Sequence, residues 1–247
     1  DYYDTGDEHG SAFERVSAFQ FGFTDGAESC KSITMSEVTQ RRGDLPVDLP
    51  SDQSGELPVT EASVRQIVDA MNILFAPKSR PTLTFDAASA SSCPDARPSP
   101  PVSYCPAGNT IAVDLPGLQA LGTPIDGEDG LVLQGDNTAY SALVSRYMLA
   151  LQHERGGLAL DTAEAGLRTA CLTGVATTKL STTITTPDGN TVGLTAGDLD
   201  EAVAGLLTNG LGASDVNGET VPAGFSRIDA FRVGVLGEQE RCIKRFG

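Results

Sequence analysis

The chain has 247 residues, of which 40% are hydrophobic and 20% are charged, and this composition excludes wholesale disorder. Its formal charge is −16, from 33 acidic and 17 basic side chains. This balance argues against binding to nucleic acid or to an anionic membrane surface, because phosphate binding needs clustered Lys and Arg. The chain contains no apolar run of about 18 residues, so no transmembrane helix is predicted. It does not open with a signal-peptide pattern, so a signal or a membrane anchor would have to lie upstream of Asp1.

Apolar periodicity and turn residues predict a succession of short elements. In chain order these are a helix over residues 14–30, a linker over 42–59, a helix over 60–75, strands over 82–85 and 111–115, helices over 136–152 and 161–176, a hairpin over 182–192, and helices over 196–208 and 222–244. In the first helix Val16, Phe19 and Phe23 share one face. Thr60 and Thr195 are predicted N-caps, the latter with an acidic partner three residues on.

The cysteine and histidine content restricts the kinds of site the chain can build. Five cysteines occur without a CxxC pair, and there are two histidines, so a structural zinc knuckle is not expected. Cys93 and Cys105 flank a proline-rich loop with little core of its own, and a disulfide between them would restrain that loop. We therefore expect an oxidising, extracytoplasmic compartment, with free buried thiols as the alternative.

The two ends of the chain carry an internal repeat. Residues 14–30 align without gaps to residues 226–242, with Arg, Ala, Phe, Gly and Cys in register. The same helical pattern followed by a cysteine is therefore expected twice.

From the middle onward, several segments occur in the order found in the bacterial neutral zinc metallopeptidase family, which the chain resembles. The matching segments are SYCPAGNTIAVDLPGLQAL (103–121), GDNTAYSALVSRYMLALQ (135–152), GLRTACLTGVAT (166–177) and LTAGDLDEAV (194–203). HGSAFERVSAFQFGF (9–23) resembles the closing motif of that family. The closing motif is carried by His9, Gly10, Ser11 and Arg15.

The resemblance implies an α+β, zincin-like fold with a small sheet and a helix-rich C-terminal half, braced by disulfides. It also implies a division of the chain. Residues 1–41 would be the tail of a preceding peptidase-like unit, 42–59 a linker and 60–247 a second, degenerate unit. A rearranged order within one unit is the alternative. Cys171 would pair with Cys242, while Cys30 would pair outside this chain or have no partner.

The zinc-binding residues of the family are absent. Family members bind zinc through HExxH, where two histidines face one side of a helix and the glutamate acts as base. The two alternative alignments place Val144, Ser145, Arg146, Met148 and Leu149 at those positions, and Gly166 and Ala170 at the acidic positions of the second helix. His153 and Glu154 form a displaced HE pair at a helix end, and a site joining His9 to His153 is the remaining alternative. We expect no metal, no cofactor and no catalytic residue.

The resulting hypothesis is a non-catalytic, extracytoplasmic domain that binds a peptide or a cell-envelope protein, with no nucleic-acid partner. One alternative is a regulatory second unit of a zinc metallopeptidase whose HExxH lies outside this chain. Another is a structural accessory subunit of a cell-envelope complex.

Overall fold

The computed structural model describes residues 10–42, 45–46, 55–124 and 134–247, and in them the chain has a helix-rich α+β fold with small sheets. The α-helices are α1 (Ala12–Asp25), α2 (Met35–Arg42), α3 (Glu61–Phe75), α4 (Leu115–Leu121), α5 (Asp136–Arg155), α6 (Ala163–Leu180), α7 (Asp198–Leu207), α8 (Gly224–Val235) and α9 (Gln239–Phe246). Short 3₁₀ helices span Ala27–Ser32, Ala87–Ser92 and Leu211–Ala213. The strands are β1 (Thr82–Thr84), β2 (Val102–Cys105), β3 (Thr110–Val113), β4 (Ile184–Thr185) and β5 (Thr191–Val192).

Helix α3 begins where its sequence predicts. The Thr60 hydroxyl accepts a hydrogen bond from the Ser63 N–H at 3.1 Å, and the Ser63 hydroxyl accepts one from the Thr60 N–H at 2.8 Å. Each side chain thus satisfies a backbone donor that the first turn leaves free. The apolar face that follows, including Val64, Ile67 and Met71, is buried in the main core.

The three-stranded sheet has the order β1-β3-β2, with β1 parallel and β2 antiparallel to β3. Strand β2 was not predicted, because it follows a proline-rich segment that indicates a loop. The disulfide between Cys93 and Cys105 closes that segment, as predicted. Tyr104 and Ile111 on the paired strands are buried in the main core with residues of α3 and α5.

The C-terminal helices α8 and α9 pack on α6. The disulfide between Cys171 and Cys242 implied by the family resemblance is present and joins α6 to α9. The predicted single helix over 222–244 is wrong: α8 ends at Val235 and α9 begins at Gln239. Gly237, which lies between them, weakens a continuous helix, and a separate α9 carries Cys242 to its partner. None of the described helices is long and apolar enough to cross a membrane.

The N-terminal segment packs on this C-terminal half. Ser11 caps α1 in a capping box with Glu14, and the Asp200 carboxylate of α7 accepts hydrogen bonds from the N–H groups of Ala12 and Phe13 at 3.0 and 3.1 Å. Phe13 is 1% exposed and lies in a second core cluster with residues of α7 and α8. Leu45, within the predicted linker, is buried in the same cluster, whereas most of that linker lies outside the described residues.

Candidate functional site

A cavity of about 460 Å³ lies beside the N-terminal half of α5. Its walls are contributed by α3, α5, the end of α6 and the β4–β5 hairpin. The apolar lining residues are Leu57, Ile67, Val144, Leu180, Val192 and Leu194, with the ring of Tyr140. At one end the lining becomes acidic, where Glu56, Asp136 and Asp198 meet.

The acidic end forms because two helices begin there. Asp136 is the first residue of α5 and Asp198 the first residue of α7, and each follows a glycine. A helix N-terminus attracts negative charge through its free N–H groups. Glu201, on the next turn of α7, accepts a hydrogen bond from the Asn137 N–H at 2.8 Å. Glu56, Asp136 and Glu201 each place a carboxylate oxygen within 4.8 Å of the others.

Asp136 holds the least satisfied carboxylate of this group. Its Oδ2 accepts a hydrogen bond from the Leu57 N–H at 2.9 Å. Its Oδ1 is buried and accepts none from any donor in the described part of the chain, although the residue is only 5% exposed. The Glu56 carboxyl can hydrogen-bond to Asp136 only when one of the two carries a proton. An uncompensated oxygen in this position is a ready acceptor for a cationic group.

The surroundings keep Asp136, Glu201 and Asp198 protonated at higher pH than usual. Burial, followed by the charge of Asp198 and opposed by the hydrogen bond from the Leu57 N–H, raises the pKa of Asp136 to about 8. Burial, followed by the charge of Asp136, raises the pKa of Glu201 to about 8. Burial also raises the pKa of Asp198 to about 7, against hydrogen bonds from Thr195. Near neutral pH the cluster is therefore poised between its neutral and charged forms.

Thr195 plays a different role from the predicted one. The α7 helix begins at Asp198 after Gly197, two residues later than predicted, so Thr195 is not its N-cap. Instead the N–H and hydroxyl of Thr195 donate to Asp198 Oδ2 at 2.6 and 3.2 Å. Thr195 and Asp198 are therefore in contact as predicted, but the contact orients the Asp198 carboxylate at the cavity instead of capping the helix.

The positions assigned to zinc binding by the resemblance do not form a metal site. Val144 lines the cavity. Ser145 is fully buried and donates its hydroxyl hydrogen to the Ala142 carbonyl at 2.6 Å. Met148 and Leu149 lie in the main core, Ala170 lies in the second core cluster, and Gly166 packs against the Ala213 carbonyl. None of these side chains is a zinc ligand of the usual kind, and they point into separate parts of the interior.

Arg146 occupies one of these positions as a buried structural residue. It is 1% exposed, and its guanidinium donates to the Val102 carbonyl at 3.0 Å, the Ser214 hydroxyl at 2.7 Å and the Asp215 carbonyl at 2.9 Å. Burial lowers its pKa to about 10, so that it stays charged at neutral pH. Arg146 therefore joins α5 to β2 and to residues 214–215.

The alternative site joining His9 to His153 cannot be followed in the structure, because only His153 is among the described residues. His153 is exposed at the end of α5, where Nδ1 and the Tyr104 hydroxyl are 3.0 Å apart. His9 lies outside the described residues. The rest of the predicted closing motif starts α1: Gly10 adopts a φ of 71°, Ser11 is the N-cap, and Arg15 donates to the Gly10 carbonyl at 2.9 Å.

The sequence interpretation overlooked the carboxylates at the cavity, since acidic residues are numerous and nothing in their spacing joins them. Two Gly-Asp pairs, at Gly135-Asp136 and Gly197-Asp198, were quoted only as family motifs. They carry a structural signal, because each places an aspartate at a helix start.

Comparison with protein-family models, curated proteins and solved structures finds no match to this chain. The resemblance to zinc metallopeptidases therefore depends on the quoted motifs alone.

Proposed function

We propose that the chain is a non-catalytic, extracytoplasmic binding domain that takes up a basic side chain of a peptide or protein partner in the cavity beside α5. The observation that carries the proposal is the buried, unpaired Oδ1 of Asp136 at the acidic end of an apolar cavity.

The shape and chemistry of the cavity suit a lysine or arginine side chain better than a bare ion. A volume of about 460 Å³ with apolar walls leaves room for a methylene stem along Tyr140 and Val144. The cationic head would then reach the carboxylates of Asp136 and Glu56. A hydrogen bond to a charged group contributes roughly 1.5–3 kcal/mol, and an arginine can form two in parallel.

The lining supports binding over catalysis. Among the described residues, those that line the cavity include no histidine, cysteine, serine or lysine, which are frequent nucleophiles and bases in hydrolases. The positions that correspond to a zinc-binding HExxH hold Val144 and buried core residues. Two disulfides are compatible with an oxidising, extracytoplasmic location.

A pair of matched tripeptides tests the proposal. Ac-Ala-Arg-Ala-NH2 and its citrulline counterpart have the same shape, but only the first is charged. We expect the arginine peptide to bind at least about tenfold more tightly by NMR titration, a difference of about 1.4 kcal/mol. Asp136→Asn should abolish the preference. Asp161→Asn, which removes an exposed carboxylate outside the cavity, should leave it intact.

Other outcomes would contradict the proposal. Equal affinity for the two peptides would show that charge recognition is not the function of the cavity. Stoichiometric calcium binding that excludes the arginine peptide would assign the carboxylates to a hard metal ion, which prefers such oxygen ligands. Stoichiometric zinc in the purified chain, measured by elemental analysis, would overturn the non-catalytic assignment.

A further inference from the structure

The internal repeat allows one helix of the fold to be compared with another. Residues 226–242 form most of α8 and the first half of α9, and here the repeated face is covered by α6. Ile228 and Phe231 are fully buried. A Cβ on Gly234 would overlap the carbonyl oxygen of Cys171, so the two helix backbones are in direct contact. Cys242 completes the contact through its disulfide to α6.

Among the described residues, no helix crosses the corresponding face of the first copy as α6 crosses α8. Phe19, which corresponds to Phe231, is 57% exposed, and Phe23, which corresponds to Val235, is 74% exposed. A Cβ on Gly22 would come near only the Cys30 Sγ, at 3.1 Å, and would meet no second helix. Cys30, the counterpart of Cys242, is an exposed free thiol. We call Phe19, Gly22, Phe23 and Cys30 the α1 face.

The α1 face is held in a fixed orientation by the opposite side of its helix. Phe13, Ser17 and Gln20 are buried, and the Gln20 side chain donates to Asp229 of α8 at 2.9 Å. The rings of Phe19 and Phe23 both stack on Phe225, which is 41% exposed itself. Three adjoining exposed aromatic rings form an apolar patch of the kind that marks interaction sites.

We propose that the α1 face is a docking site for a helix of a partner polypeptide that carries a cysteine and, three residues later, a glycine, as α6 carries Cys171 and Gly174. The covered copy shows what such a helix does: Gly174 packs on the backbone of Phe231 and Val235, on either side of the repeated glycine, and Cys171 bonds the repeated cysteine. A second copy of this chain cannot supply its own α6, because α8 already covers that helix and its cysteine is bonded to Cys242.

The docked helix would be locked through Cys30. The Cys30 thiol and the partner's thiol form one S–S bond, and their two electrons and two protons pass to a disulfide oxidant. With oxidised glutathione as that oxidant, two molecules of reduced glutathione are released. The oxidising compartment expected for this chain favours this product.

The test uses the α6 sequence itself as the probe. The full chain is equilibrated with a synthetic peptide of residues 163–180 in a glutathione buffer that leaves both native disulfides intact. Intact-mass spectrometry then measures how much Cys30 carries peptide and how much carries glutathione. We expect the peptide to be favoured at least about tenfold over a scrambled peptide with its cysteine at the same place, because docking raises its effective concentration.

Variants distinguish docking from simple thiol reactivity. Gly22→Leu, which blocks the crossing point, and Phe23→Ser, which alters an exposed ring, should each lower the labelling to the scrambled level. Thr24→Leu places the same side chain on the opposite side of α1 and should not. The reaction rate of Cys30 with a small aromatic disulfide should be the same in the native protein, Phe23→Ser and Thr24→Leu. For Gly22→Leu, whose new side chain lies against the Cys30 Sγ, peptide labelling is divided by that rate. Equal labelling by the scrambled peptide, unchanged labelling of Gly22→Leu, or preferential Cys30–Cys30 dimers would overturn the proposal.

Discussion

Replacement of Asp136 by asparagine should stabilise the protein at alkaline pH. The pKa of this carboxyl in the folded protein is about 8, against an ordinary value of 3.8. The folded state therefore holds the proton more tightly than the unfolded chain does. The stability that this difference contributes is fully present below pH 4 and is lost as the pH rises to about 8. Asparagine keeps an acceptor for the Leu57 N–H and cannot ionise.

The magnitude follows from the pKa difference. Between the two pKa values each pH unit removes about 1.4 kcal/mol from the free energy of unfolding of the native protein. From pH 5 to pH 8 the difference between Asp136→Asn and the native protein should therefore move by about 4 kcal/mol in favour of the variant. The same ionisation should strengthen binding of an arginine peptide over this range, because a charged carboxylate is the stronger acceptor.

Urea denaturation followed by circular dichroism at several pH values measures this difference. Asp161→Asn is the matched control, since it removes an exposed carboxylate and should run parallel to the native protein. The reasoning is refuted if the stability curves of Asp136→Asn and the native protein are parallel between pH 5 and pH 8. It is equally refuted if the variant is the less stable protein at pH 8.

Four further variants test the packing. Gly234→Ala should destabilise the fold by about 3 kcal/mol or more, because the Cβ overlaps backbone that cannot move away. Gly22→Ala should be neutral or slightly stabilising. Equal decreases in the melting temperature of the two variants would contradict this. Arg146→Met should cost about 3 kcal/mol, since three buried acceptors lose their donor, and a native-like midpoint in urea would show otherwise. Replacing Cys171 and Cys242 together by alanine should remove about 4 kcal/mol, from the loop entropy of a 71-residue separation; an unchanged melting temperature would count against that estimate.

Local signals in the sequence were sufficient to predict several elements of the fold. The Thr60 cap and the apolar face behind it predict α3, and Pro187-Asp188-Gly189-Asn190 predicts the turn between β4 and β5, because such residues favour tight turns. The Cys93–Cys105 disulfide could be inferred from the loop it closes. These features depend on neighbours in sequence, so a single chain reveals them.

Features that depend on distant contacts could not be predicted. The spacing of Phe19 and Phe23 indicates an apolar helix face, but it does not show whether another helix covers that face. The cavity carboxylates of Glu56, Asp136 and Glu201 come from three separate segments and meet only in the folded chain. The high pKa values of Asp136 and Glu201 arise first from burial, which the sequence does not report.

The buried guanidinium of Arg146 also bears on how the molecule opens. Its three hydrogen bonds run from α5 to Val102 of β2 and to Ser214 and Asp215, so separating α5 from either partner segment would leave a buried charge short of acceptors. We expect amide hydrogen exchange in α5, β2 and residues 214–215 to be slow and to share one opening free energy. The β4–β5 hairpin, with two residues in each strand, should exchange faster. The wall of the cavity formed by α5 should then keep its shape, whereas the wall formed by the β4–β5 hairpin can move as a ligand enters.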